Sequence, residues 1–114
     1  MNTQIKLTYD DIPYTLEYTR DSVKRLEASG FRIDEFMEKP MTNLELAFAG
    51  AFIKNHPRVS QTTIDDIFAS CKDKTGLVSQ LAIMIEECYE SLLSEGNVTW
   101  EVVDLTPKNK EVQK

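Results

Sequence analysis

Apolar residues recur along the chain with two different periods, and the changes of period divide it into elements. Ile5, Leu7 and Tyr9 alternate with Lys6 and Thr8, and after Asp10-Asp11 the alternation resumes through Ile12, Tyr14, Leu16 and Tyr18. A period of two is that of a half-buried strand, so this stretch predicts a β-hairpin. Asp-Asp is a weaker turn signal than Asp-Gly, which leaves room for a loop of more than two residues. Pro13 has no N–H to donate and belongs at an edge or beside the turn. With Tyr9 and Ile12 closing the hairpin, the missing donor points away from the first strand, so a third strand would pair with the first.

From Arg20 the period lengthens to that of a helix. Thr19 or Asp21 can cap it, Val23 and Leu26 face inward, and Gly30 stands at the left-handed C′ position with Phe31 folded back onto Leu26. Arg20, Lys24 and Arg25 read as a solvated face. In the connector that follows, Ile33, Phe36 and Met37 predict a single helical turn laid over the core and ended by Pro40.

The next stretch, KPMTNLELAFAGAFIKNH from Lys39 to His56, is the one the others must wrap. Thr42 and Glu45 have the spacing of a capping box, and Met41 and Leu46 that of a hydrophobic staple. Leu44, Phe48 and Phe52 form one ridge, while Leu46, Ala49 and Ile53 cover much of the opposite side. A helix apolar nearly all round has to be buried. Gly50 within it costs roughly 1 kcal/mol relative to Ala, a cost that close approach of another element would offset.

Ser60 caps a further amphipathic helix carrying Ile64, Ile67, Phe68 and Cys71. The longest helix is expected from Leu77 to Glu95, with Leu77, Leu81, Met84, Ile85, Cys88 and Leu92 as its core stripe. Ala82, Tyr89 and Leu93 widen that stripe, Ile83 sits exposed among the glutamates, and Gly96 takes the C′ position. NVTWEVVDL then alternates as a strand, with Val98, Trp100 and Val102 on one face. The expected fold is α+β: a small antiparallel sheet of the N-terminal hairpin plus this C-terminal strand, packed with a mainly helical bundle around the buried central helix. Residues 1–105 form one domain and 106–114 a mobile tail.

Composition narrows the function. The 114 residues are 41% hydrophobic and 28% charged, the balance of a globular domain with one core. A net charge of −6 repels phosphate backbones and anionic lipid, which speaks against nucleic-acid and membrane partners. The N-terminal MNTQIKLTYDD has no apolar stretch of the signal-peptide kind, so residence in the cytoplasm is expected. Cys71 and Cys88 lie on apolar helix faces without metal-ligand spacing and read as buried free thiols. No catalytic constellation stands out. His56, the single histidine, lies at a helix end where a capping role is common. Asp65 and Asp66 are helix neighbours pointing about 100° apart, so they do not converge on one site. No Gly-rich phosphate loop and no His/Cys cluster occur, and neither a catalytic residue, a cofactor nor a metal is expected.

Three segments in order, YTLEYTRDSVKRLEASGF, KPMTNLELAFAGAFIKNH and EGNVTWE, carry a resemblance to known proteins. The set resembles small proteins of phages and prophages of low-GC Gram-positive bacteria, which are similar to tail assembly chaperones. It spans roughly Ile5 to Trp100, with Asp10-Asp11 replacing an Asp-Gly-like pair at the turn. The resemblance implies a non-catalytic protein of the host bacterial cytoplasm. Its client would be the helical tape-measure protein, kept soluble until tail-tube subunits polymerise around it. No ligand-binding residue comes with it.

A chaperone for a helical client needs an apolar surface. Tyr89, Leu93 and Trp100 could supply one, with Ile83 marking a separate contact, such as one with a second copy in a homo-oligomer. The bland reading is that Tyr89, Leu93 and Trp100 finish the core. Two other classes fit the same residues: a structural tail or neck component of the virion, and a small regulatory protein acting on a host or defence factor.

Overall fold

The structure is a computed structural model that describes residues 3–36 and 38–106. Strands β1 (Ile5–Tyr9) and β2 (Ile12–Leu16) form the predicted hairpin, paired Ile5↔Leu16, Leu7↔Tyr14 and Tyr9↔Ile12. Its loop is only Asp10 and Asp11, with φ of 55° and 64°. Two successive left-handed residues match the twist of the flanking strands. Aspartate reaches this region because its short polar side chain can bond locally. Pro13 faces Thr8, the pair next to the closing one, where neither residue donates across the ladder.

Helix α1 (Arg20–Ala28) is fastened at both ends as its sequence suggests. The Ser22 N–H donates to Thr19 Oγ1 at 3.0 Å and the Thr19 N–H to Ser22 Oγ at 2.8 Å, a reciprocal box. At the other end Gly30 has φ 106°, and the Phe31 N–H donates to the Leu26 carbonyl at 3.0 Å, closing a Schellman motif. A single 3-10 turn follows at Ile33–Glu35, with Phe36 buried behind it. Met37 lies outside the described residues.

Helix α2 (Pro40–Gly50) starts earlier than its capping signals predict. Pro40 opens the helix instead of ending the preceding turn: its φ is preset for N1, and the N–H it lacks would have had no intrahelical partner there. Thr42 is therefore inside the helix and exposed Met41 staples nothing. The entry is held by Asn43, a buried amide whose Nδ2 donates to the Lys39 carbonyl at 3.1 Å and whose Oδ1 accepts from the Arg32 N–H at 3.0 Å. Past Gly50 the chain keeps winding as turns to Asn55, and the His56 N–H donates to the Phe52 carbonyl at 2.8 Å. Phe48 and Phe52 are 2% and 1% exposed, so the burial expected of this segment is met. A Cβ on Gly50 would come 2.5 Å from Leu26 Cδ2, so α1 crosses α2 at the one position without a side chain.

Helix α3 (Gln61–Ser70) is capped by Ser60, whose Oγ accepts from the Thr63 N–H at 3.2 Å. Helix α4 (Lys74–Leu92) begins a turn before its first core leucine, capped by Asp73, and ends short of Gly96. Ile64, Ile67, Leu81, Met84 and Ile85 close the core against α2 and the hairpin. Aromatic rings bind the layers edge to face: Tyr14–Phe52 at 5.8 Å, Phe52–Phe48 at 5.2 Å and Phe48–Phe68 at 5.2 Å link β2, α2 and α3.

The fold is α+β, with four α-helices and a two-stranded antiparallel sheet among the described residues. The expected third strand is absent. Residues 97–105 form no strand among the described residues, and every residue from Leu92 to Thr106 is exposed. Alternation made the segment compatible with a strand, but a ladder needs an edge, and within this chain the segment lies against none. Leu92, expected in the core stripe, is 62% exposed at the margin of the packing between α1 and α4. Most of the expected tail, residues 107–114, lies outside the described residues.

Candidate functional site

The groups with chemistry to offer are occupied in holding elements together. The Thr15 N–H donates to His56 Nε2 at 3.0 Å, and Tyr14 packs 5.1 Å from the imidazole, so His56 bonds a strand edge and does not cap its own helix. Glu17, only 5% exposed, accepts from Asn55 Nδ2 at 2.8 Å, from Gln4 Nε2 at 3.0 Å and pairs with Lys54 at 3.1 Å. The Asn55 bond first, with Lys54 and Gln4 behind it, holds this carboxyl below its usual range against the opposing effect of burial. Both thiols are free and half-buried, and burial pushes Cys71 and Cys88 up, away from the reactive thiolate. Asp65 accepts from Gln61 on its own helix. Among the described residues no three His, Cys, Asp or Glu cluster as a metal would require, and no helix is long and apolar enough to cross a membrane.

Three open grooves are mainly apolar. Helices α1 and α4 pack side by side, leaving a groove of about 380 Å³ lined by Val23, Cys88, Tyr89 and Leu92, with Arg20, Lys24 and Glu27 at its rim. The Tyr89 hydroxyl donates to the Glu27 carboxylate, and burial, then Glu27 itself, push that phenol up. The Arg20 guanidinium donates to the Ser91 carbonyl near the C-terminus of α4, where a cation is favoured. These two contacts set the width of the groove. Leu93, 82% exposed, comes one turn after Tyr89 at the helix end but does not line this groove. A second groove, about 260 Å³, opens between α2 and α3 over Leu44, Phe48, Ile64 and Phe68. A third, about 310 Å³, lies between β1, α3 and the start of α4, over Ile67, Cys71 and Leu77.

The four residues singled out from sequence do not form one surface. Tyr89 lines the α1–α4 groove and Leu93 is exposed at the end of the same helix, Ile83 is 49% exposed and lines none of these grooves, and Trp100, 82% exposed, stands out on the C-terminal segment. Leu92 was missed because its spacing fits the core stripe. The β1 groove was missed because its walls come from three elements far apart in sequence.

The geometry defines a small α+β domain with apolar grooves between its elements. The chain belongs to the family described as "Domain of unknown function (DUF5055)", whose model matches residues 1–106. No curated protein and no solved structure matches it.

Proposed function

We propose that the protein is a non-catalytic assembly chaperone of a phage tail. It binds a helical segment of the tape-measure protein and keeps it soluble until tube subunits polymerise around it. The observation that carries this reading is the α1–α4 groove, where Tyr89 is partly and Leu92 largely open to solvent, with exposed Leu93 one turn beyond Tyr89. A helical client offers apolar side chains at i, i+3, i+4 and i+7, the pattern that a groove between two helices accepts. Tyr89 is an anchor of the type that dominates interfaces, and its bond to Glu27 holds the ring in place without a client. The net charge of −6 opposes aggregation of client-laden molecules. The ordered KPMT, FAGAF and EGNVTW segments supply the identity of the client, through their resemblance to tail assembly chaperones.

Co-expression with the tape-measure protein of the same genome tests the reading. The client is expected to be soluble and to co-purify with the wild type, and to become insoluble without it. Leu93→Asp, at an exposed position, is expected to leave the fold intact and release the client. Unchanged client solubility with that variant places the contact elsewhere. The exposed apolar segment 92–105 favours a second reading, a structural tail or neck component whose arm docks on a neighbour. Retention in purified virions, with no tape-measure binding, would establish that reading in place of the first.

A further inference from the structure

The two edges of the hairpin are treated differently. The outer edge of β2 is closed: its Thr15 N–H goes to His56, the Thr15 carbonyl accepts from Asn55 Nδ2 at 3.2 Å, and the Glu17 N–H donates to the Ala51 carbonyl at 3.1 Å. Pro13 has no donor to satisfy. The outer edge of β1 is open. Lys6 and Thr8 sit in the pairs that do not bond across the ladder, so their N–H and C=O groups point outward. Among the described residues those groups have no partner.

The β1 groove lies along that open edge, on the face carrying Ile5, Leu7 and Tyr9. A strand added to β1 would set alternate side chains over Ile67, Cys71 and Leu77, and the intervening ones beside Lys6 and Thr8. The chain carries a segment with that alternation. In NVTWEVVDL, Val98, Trp100 and Val102 fall on one side and Thr99, Glu101 and Val103 on the other. The charges agree with the placement: Glu101 would lie on the face of Lys6, and Asp104 on the groove side, where Lys72 lines the wall. Among the described residues the segment's one hydrogen bond is that from the Thr106 N–H to Asp104 Oδ1. Its large apolar residues are at least 63% exposed, and so many in one short segment are rarely left uncovered by a monomer. The family match runs through residue 106, so the segment is part of the domain.

We propose that residues 97–105 of one copy add as a strand to the free β1 edge of a second copy. Each copy has one open β1 edge and one segment of strand pattern without a partner, so two copies satisfy each other reciprocally, cover both β1 edges and close with two-fold symmetry. This pairing is independent of which client, if any, fills the α1–α4 groove.

Sedimentation equilibrium is expected to give twice the 13.1 kDa chain mass for the wild type. Thr8→Pro removes an outward N–H without touching the hairpin ladder, and Trp100→Glu puts a charge into the groove. Each is expected to halve the mass. Mixing the two is expected to restore a dimer through the one intact edge and the one intact strand. Should Thr8→Pro fail to fold, Trp100→Glu carries the test, because the segment is outside the core. In a Cys88→Ser background, Val102→Cys is expected to cross-link to native Cys71 between chains, giving a dimer band on a non-reducing gel that disappears with Cys71→Ser. A monomeric wild type, a cross-link within one chain, or a dimer band that survives Cys71→Ser each overturns the proposal.

Discussion

Residues 5–16 and 97–105 carry the same alternation of apolar and polar side chains, yet only the first stretch is a sheet. The difference is the supply of a partner. Asp10 and Asp11 turn the chain back on itself, so β1 and β2 meet at the cost of a two-residue loop. Asn97 to Leu105 follow a long helix with no tight turn folding them back on a neighbouring strand, so nothing local brings an edge to them. Alternation states that a segment can be a strand; a turn or a neighbour decides whether it is one. The hairpin is also stitched to the body on its β2 side through Ala51, Asn55 and His56, which makes its fate part of the core's.

The largest effect should separate the two regions outright. Phe48→Ala is expected to destabilise the body by about 3–5 kcal/mol in urea unfolding, because the ring is buried between Phe52 and Phe68. Gly50→Ala should follow at about 1–3 kcal/mol. The added methyl meets Leu26, and overpacking outweighs the gain of roughly 1 kcal/mol in helix propensity. A neutral result there would mean that α1 shifts easily on α2.

Glu17→Gln tests the closed edge, with about 1–2 kcal/mol lost at neutral pH, since exposed Lys54 is rehydrated when the pair is broken. The folded-state pKa of Glu17 is depressed, so its contribution is present above the unfolded carboxylate value near 4.5 and is lost as pH falls through the lower folded value. The variant should therefore show a shallower acid limb than the wild type in pH-dependent melts. Asp11→Gly is expected to stabilise by about 0.5–1 kcal/mol, relieving a left-handed aspartate and one of two adjacent charges at the turn. The smallest effect belongs to the segment. At concentrations where the chain is monomeric, Val98→Ser should change unfolding by less than about 0.5 kcal/mol, because the side chain is already in water. A larger change would show that the segment packs on its own body.

Much of the fold was legible because its signals are local. The Thr19 and Ser60 caps, the Gly30 terminus and the period of each helix depend on residues within a turn of one another, and each is found in place. The start of α2 was misplaced by two rival local signals, Thr42 with Glu45 against Pro40 at N1, which the buried Asn43 bonds to the connector decide. Of the candidate surface, Tyr89 and Leu93 were readable as the edge of an apolar stripe. Leu92 was not, since spacing alone cannot say where the covering helix stops.

The sequence by itself determined the order and type of the elements of the body, the aromatic core around Phe48 and Phe52, and the need for a glycine at position 50. Those follow from periodicity, capping chemistry and side-chain size. Only the tertiary structure decided which hairpin edge is closed, that His56 serves β2, that α1 and α4 leave a groove, and that Val98 to Leu105 stand free. Each of these depends on which surfaces meet across long stretches of chain, and a one-dimensional pattern of burial is the same whichever partner provides it.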